Sequence, residues 1–158
     1  MTESILTEIL NHPEFKENEF WHRQSFASGV QIFHQDDPAE NLYLVISGKV
    51  RITYTVVLND DRHIQPGIVD LEVDEIFGEM AVLDNSPRSA SASVVEDTIL
   101  IVINGEKLLT FLDSHQNLGY SIMKHFYSNA IQRLRLSTQR FGSVFAWGLK
   151  AHNIEKHL

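Results

Sequence analysis

The chain has 158 residues, the usual size of one compact domain, and 43% of them are apolar, so it can bury a core. It contains no cysteine, which excludes disulfides, thiolate nucleophiles and zinc–thiolate sites. Its formal net charge is −8, so the chain as a whole repels polyanions, and a small anionic ligand must be held by a local site. It has no stretch near 18 uncharged apolar residues and no basic start of a secretory signal, so we expect a cytoplasmic protein that does not enter a membrane.

The N-terminal region, residues 1–25, is predicted to be a helical lead-in. Apolar residues at helical spacing predict a short helix over residues 4–10, ahead of Pro13. The aromatic residues that follow are expected to pack this lead-in onto the rest of the domain: Phe15, Phe20 and Trp21.

The middle region, residues 26–104, has short apolar or alternating runs that are separated by turn residues. Strands at intervals of about ten residues indicate an antiparallel barrel or sandwich. Residues 59–61 are predicted to form a hairpin tip, and residues 77–85 a short helical insert that begins with a glycine. The predicted strands cover residues 30–33, 42–46, 50–56, 68–71 and 91–103.

The C-terminal region, residues 105–158, has helical periodicity and completes what we predict to be one domain. One helix is predicted over residues 106–112 and a long one from about residue 116 towards residue 140. The apolar stripe of the long helix reads Leu118, Ile122, Phe126, Ala130, Leu134, Phe141, Phe145 and Leu149. Because a single small barrel cannot cover so long a stripe, we predict a homodimer through this helix. The alternative is a helix that folds back at Gly142.

Residues 77–92, Phe-Gly-Glu-Met-Ala-Val-Leu-Asp-Asn-Ser-Pro-Arg-Ser-Ala-Ser-Ala, combine features that suit a phosphate ligand. Gly78 permits close backbone approach, and the helix start after it presents free N–H groups and the positive end of the helix dipole. The turn over residues 85–87 can bring Arg88 back over that helix start, where its guanidinium would pair with a phosphate. Glu79, an acid beside an anion site, fits a different task, which is to accept hydrogen bonds from a sugar hydroxyl.

This segment resembles the phosphate-binding cassette of the cyclic-nucleotide-binding domain family, which includes catabolite activator proteins and regulatory subunits of cyclic-AMP-dependent kinase. The pattern Phe-Gly-Glu-x-Ala-x-x-x-x-x-Pro-Arg-x-Ala is matched over residues 77–90, and residues 29–32, 42–50 and 97–100 are similar to the family's strands. The resemblance covers roughly residues 15–140. It implies an α+β fold: an antiparallel β-roll (jelly-roll-like barrel) with the short helical cassette, an N-terminal helix and a long C-terminal helix.

The resemblance also implies a role for each matched residue. Glu79 would hold the ribose 2′-hydroxyl of cyclic AMP or cyclic GMP, and Arg88 the exocyclic phosphate oxygens. The remaining phosphate contacts would come from the backbone around Gly78, Met80, Ala81, Ser89 and Ala90. Arg133 and Ser137, one turn apart on the long helix, are candidate base contacts, although a solvated polar face has the same pattern. The alternative for the cassette is that Arg88 and Glu79 pair with each other and pin a loop.

The residues that lead into the cassette depart from the family pattern. The family usually has Gly-x-Gly-Asp, whereas this chain has Glu72-Val73-Asp74-Glu75. The substitutions change the turn and add negative charge near an anion site, so weaker affinity is an expected consequence. Nothing here decides between cyclic AMP and cyclic GMP.

Other site chemistries are not indicated. No pair of the eight histidines lies at ligand spacing beside a carboxylate on one element, so neither a metal site nor a cofactor is predicted. No base, nucleophile and oxyanion donors form a set, so we predict that the chain is not an enzyme. About eighteen residues follow Arg140, too few for the helix-turn-helix of the catabolite activators, so no DNA binding is expected.

Two functions therefore remain from the sequence. One is a cyclic-nucleotide sensor in which the C-terminal helix repositions and alters the binding of an unidentified downstream protein. The other is a dimeric adaptor with the same fold that no longer binds nucleotide, and the acidic residues ahead of the cassette motivate it.

Overall fold

The computed structural model describes residues 5–57, 63–64 and 67–152. The helices are α1 (Ile5–Leu10), α2 (Glu79–Asp84), α3 (Gly105–Ser114) and α4 (Gln116–Ala151). The strands are β1 (Trp21–Phe26), β2 (Gln31–Phe33), β3 (Asn41–Thr53), β4 (Val56–Val57), β5 (His63–Ile64), β6 (Gly67–Leu71), β7 (Ile76–Phe77) and β8 (Ser91–Asn104). The predicted hairpin tip at residues 59–61 lies outside the described residues.

The two longest strands, β3 and β8, form the centre of an antiparallel sheet. The sheet order is β1-β8-β3-β6, with β2 also paired to β8 and β7 also paired to β3, while β4 and β5 form a separate pair. The core of the roll consists mainly of apolar and aromatic side chains from β3, β7 and β8: Tyr43, Val45, Val50, Phe77, Ala92, Leu100 and Val102, with Leu71 from β6. The predicted α+β fold with an antiparallel β-roll is therefore confirmed.

Two strand predictions were wrong. Residues 42–46 and 50–56 were predicted as separate strands, but β3 is continuous because Gly48, at φ 88°, lets the chain kink and shift register without ending the strand. Strand β1 was missed within the predicted lead-in. Its side chains are mostly polar and exposed, so it lacks the apolar alternation by which a strand is recognised.

Helix α4 is continuous through Gly142, so the alternative of a helix folded back there was wrong. A glycine inside a helix costs about 1 kcal/mol relative to alanine, which weakens the helix without ending it.

The chain divides into two compact units, one up to Leu118 and one from Gly119 onwards, so most of α4 lies in the second unit. None of the helices in the described ranges has the length and apolar character required to span a bilayer.

The apolar stripe predicted for the long helix is two rows rather than one. Ile122 and Phe126 are buried, whereas Leu134, Phe141 and Phe145 are exposed. Exposed apolar residues recur at seven-residue intervals along α4, and we call this row the outer seam: Tyr120, Tyr127, Leu134 and Phe141. A seven-residue repeat is the period of helices that pair in coiled coils.

Candidate ligand-binding site

The predicted cassette forms a strand, a tight glycine and a short helix. Strand β7 ends at Phe77, and Gly78 caps α2 with φ 79° and ψ 1°, the left-handed region that favours glycine. A Cβ at Gly78 would lie 2.7 Å from Nη1 of Arg88 and 3.4 Å from the ring of Tyr43. The glycine is therefore required both by its backbone conformation and by the close approach of the arginine.

Arg88 is the central charged group of this site. Its side chain is 4% exposed, and Nη1 donates to Gly78 O at 2.8 Å while Nη2 donates to Asn41 O at 2.6 Å. Its Nε is buried, and no hydrogen-bond partner for it occurs among the described residues. A buried donor that makes no hydrogen bond costs on the order of 1–3 kcal/mol, and more when the group is charged, so the guanidinium retains capacity for an acceptor.

Aromatic rings surround the guanidinium. The Arg88 Cζ lies 4.2 Å from the centroid of the Phe33 ring and 5.7 Å from that of Tyr43. Tyr43 in turn stacks on Phe77 at 5.0 Å. Burial lowers the pKa of Arg88, although the group remains charged at neutral pH, and burial raises the pKa of the Tyr43 hydroxyl. The arginine is thus a cation in a low-dielectric setting, where an anion is attracted strongly.

The backbone of Arg88 is also fixed. Its N–H donates to Asp37 O at 2.9 Å, and its carbonyl accepts from the N–H of Asp36 at 2.8 Å. The turn between β2 and β3 therefore holds the cassette arginine through main-chain bonds, while β3 and Gly78 hold its side chain.

The other predicted cassette residues lie on α2 or just after Arg88. Glu79 is 2% exposed at the first position of α2, and Ala81 is also buried, whereas Met80 is exposed. Ser89 is exposed and Ala90 half-buried in the bend that precedes β8. The structure thus brings Gly78 and Arg88 into direct contact, and it buries Glu79 immediately beside Gly78 in the chain. The ligand roles of these residues stay predictions.

The acidic turn ahead of the cassette is well accommodated. Asp74 has φ 70°, a left-handed conformation that aspartate tolerates better than most residues. The Glu75 carboxylate accepts from the N–H of Glu72 at 2.7 Å, and the Glu72 carboxylate lies 3.2 Å from Nζ of Lys49. These acids are therefore used to close the turn and to pair with a lysine.

The two candidate base contacts lie on α4, in the second unit of the chain. Arg133 is half-buried and Ser137 is exposed. Their contact with a base stays a prediction.

Three residues around Arg88 were not predicted from the sequence: Phe33, Asn41 and Tyr43. Asn41 contributes its backbone carbonyl, which no side-chain pattern encodes. The two aromatic residues were predicted only as apolar positions of strands.

The helices α2 and α3 also touch. The Val82 side chain of α2 packs so closely on the start of α3 that a Cβ at Gly105 would lie 2.9 Å from Val82 Cγ2. The N–H of Gly105 donates to Glu40 O at 2.8 Å, which fixes the start of α3 beside the β3 strand.

Comparison with known proteins agrees with this geometry. The cyclic AMP receptor protein of Thermus thermophilus is 40% identical over 93 residues, which is 59% of this chain and 41% of that protein. The regulatory subunit of cyclic-AMP-dependent protein kinase from Dictyostelium discoideum is 30% identical over 84 residues, 52% of this chain and 25% of that protein. The crystal structure of the Thermus thermophilus catabolite activator protein has a TM-score of 0.63 at 31% identity, covering 78% of this chain and 55% of that one.

The chain spans about two fifths of the length of the Thermus relative, so the likeness concerns one domain of that protein. The sequence model described as the cyclic nucleotide-binding domain matches residues 23–115, from β1 through the cassette to the end of α3. This chain therefore belongs to the cyclic nucleotide-binding domain family.

Proposed function

We propose that this chain is a regulatory module that binds a 3′,5′-cyclic nucleotide in the cassette and is not itself an enzyme. The observation that carries the proposal is the buried Arg88 guanidinium, which lies against Gly78 and has an Nε donor without a hydrogen-bond partner in the described structure. A phosphodiester oxygen is an acceptor of the right charge for this donor. Glu79 is the candidate for the ribose hydroxyl.

Ligand binding must change the surroundings of Arg88. Its two Nη groups already donate to Gly78 O and Asn41 O, and the Phe33 ring packs on the guanidinium. A phosphate therefore competes with two neutral carbonyls and has to displace Phe33 or turn the guanidinium. The guanidinium is charged in both cases, but the phosphate also carries a charge that the carbonyls lack. Attraction between opposite charges is strong in a low-dielectric setting, which favours the phosphate in this exchange.

The first test is isothermal titration with cyclic AMP and cyclic GMP. Cyclic AMP is the first choice, because the Thermus relative is named as a cyclic AMP receptor. We expect Arg88→Ala to weaken binding by about 2–5 kcal/mol, the cost of removing one side of a buried charge pair. Unchanged affinity in this variant would exclude Arg88 as the phosphate ligand.

The matched control is Arg51→Ala. Arg51 is an arginine on β3 that pairs with Asp70 at 2.7 Å in an exposed position. It should leave nucleotide affinity unchanged, since exposed pairs contribute about 0–1 kcal/mol and Arg51 is not a cassette residue. If the wild-type chain binds neither nucleotide at millimolar concentration, the adaptor function replaces the sensor function.

We also propose that the chain forms a homodimer through the outer seam of α4. Four large apolar side chains, each at least 67% exposed, repeat at seven-residue intervals, and pairing two copies would remove all of them from water.

The proposed consequence of nucleotide binding is a change in the position of α4 and in the binding of a downstream protein. The expectation that the chain acts in the cytoplasm without binding DNA stays a prediction.

A further inference from the structure

A cluster of potential metal ligands lies away from the cassette, at the end of α3. One ligand atom each of His12, Glu14 and His115 lies within 4.8 Å of the other two. The sequence had indicated no metal site, because no single element carries two histidines and a carboxylate. The fold assembles the group from the segment after α1 and the residue that caps α3.

The hydrogen bonds of His115 leave its outer nitrogen available as a ligand. Nδ1 lies 2.8 Å from Phe111 O, and because a carbonyl only accepts, Nδ1 must carry the proton. In the neutral ring, Nε2 then has a lone pair. A backbone carbonyl on the inner nitrogen is the usual way in which metal-binding histidines are oriented.

The contact of His115 with Glu14 requires a positive charge between them. Nε2 of His115 lies 2.7 Å from the Glu14 carboxylate, and two acceptors do not approach so closely without a shared proton or cation. Either the imidazole and the carboxylate share a proton, or both groups bind one metal ion. The presence of a third potential ligand, a ring nitrogen of His12 within 4.8 Å of the other two ligand atoms, favours a metal.

The cluster is held by buried neighbours on both sides. Phe111 stacks on the His115 ring at 4.0 Å, and Phe15, which is 1% exposed, packs on Phe111 at 4.9 Å. The segment that carries His12 and Glu14 is therefore anchored to α3. His12 Nδ1 accepts only a long hydrogen bond, 3.3 Å, from the N–H of Glu14. Exchanging this weak hydrogen bond for a bond to a metal ion therefore costs little.

We propose that His12, Glu14 and His115 form a binding site for a divalent transition-metal ion of the zinc class. Two imidazoles and a carboxylate are a ligand set that Zn²⁺ accepts, with a fourth position open to water. Tetrahedral ligands about 2.0–2.1 Å from zinc lie roughly 3.3 Å apart. The Glu14 oxygen, now 2.7 Å from His115 Nε2, must therefore move slightly away from it, while the more distant ligand atoms of the cluster, up to 4.8 Å apart, must approach. The exposed Glu14 side chain and the half-buried His12 ring supply that movement. Ions that prefer all-oxygen ligands, such as Mg²⁺, should bind poorly.

The test is titration of the full chain with Zn²⁺, and with Mg²⁺ for comparison, by isothermal calorimetry. We expect one zinc site per chain, with affinity reduced roughly tenfold or more in His115→Gln and in Glu14→Gln. Each variant removes a direct ligand, and loss of even an outer-shell partner of a metal site typically costs about tenfold or more. The matched control is His22→Gln, which removes an exposed histidine on β1. Equal zinc affinity in all four proteins would overturn the proposal.

A second measurement does not depend on how the variants fold. In the wild-type chain, addition of Zn²⁺ should shift the ring nitrogen resonances of His12 and His115 ahead of those of the other histidines. If other histidine rings shift first, or if zinc does not bind at micromolar concentration, the His115–Glu14 contact is an ordinary ion pair and the metal site does not exist.

Discussion

The unit up to Leu118, which we call the cassette unit, and helix α4 differ in where most of their aromatic residues lie. In the cassette unit Phe77 is 1% exposed and stacks on Tyr43, whereas in α4 Tyr127 is 70% exposed. Residues of the same class thus complete a core in one unit, whereas along α4 the aromatic residues other than Phe126 remain on the surface. A helix within a protein gains most of its stability from packing of its apolar face, and the exposed seam of α4 lacks such packing in a single chain, which is the basis of the proposed dimer.

The largest expected effect tests the core side of this comparison. Phe77→Ala should lower the free energy of unfolding by about 3–5 kcal/mol, because it removes a fully buried ring and leaves a cavity. The measurement is chemical denaturation followed by circular dichroism. Tyr127→Ala is the matched change on α4, and it should act only through the dimer, so that its effect depends on protein concentration. A large, concentration-independent loss for Tyr127→Ala would contradict the contrast between the units.

The second prediction concerns the seam itself. The double change Leu134→Glu and Phe141→Glu should weaken the dimer by about 2 kcal/mol or more, roughly 30-fold in dissociation constant, because two anchors are lost and like charges face each other. Analytical ultracentrifugation measures the change. Gln139→Glu, which adds one charge to another face of α4, is the control and should leave the dimer intact. A monomeric wild-type chain at high concentration would contradict the proposed dimer.

The smallest expected effect concerns the acidic turn before the cassette. Asp74→Gly should raise the free energy of unfolding by about 1 kcal/mol or less, since it relieves a left-handed aspartate at φ 70°. Thermal unfolding measures this gain in stability. Nucleotide titration of the same variant shows whether the negative charge of Asp74 weakens nucleotide binding. Asp113→Gly, a change within helix α3, is the control and should destabilise the chain.

Much of the cassette could be predicted from the sequence, because its requirements are local. Gly78 is needed for a left-handed residue and a close approach, and its spacing to Arg88 is fixed by one short helix and one turn. The partners of the arginine could not be predicted in this way. Asn41 contributes a carbonyl, and Phe33 contributes the face of its ring, from strands that are distant in sequence.

The division of the α4 stripe into two rows could not be predicted from the sequence either. Spacings of four and seven both fit a helix, but repeated steps of four and repeated steps of seven drift in different directions around its axis. Ile122 and Phe126 therefore point elsewhere than Leu134 and Phe141, and only burial separates the two rows. The sequence alone predicted an apolar helix and a partner for it, without showing which residues face that partner.

The tight contact between Val82 and Gly105 gives α3 a mechanical role. Helix α3 has ten residues and is about 15 Å long, a stiff rod that touches α2 of the cassette at its first residue and ends beside His115. We expect a displacement of α2 to be passed to this rod, because no free space separates Val82 from the backbone of α3. If zinc binds at its far end and α3 couples the two sites, each ligand must change the affinity of the other by the same factor.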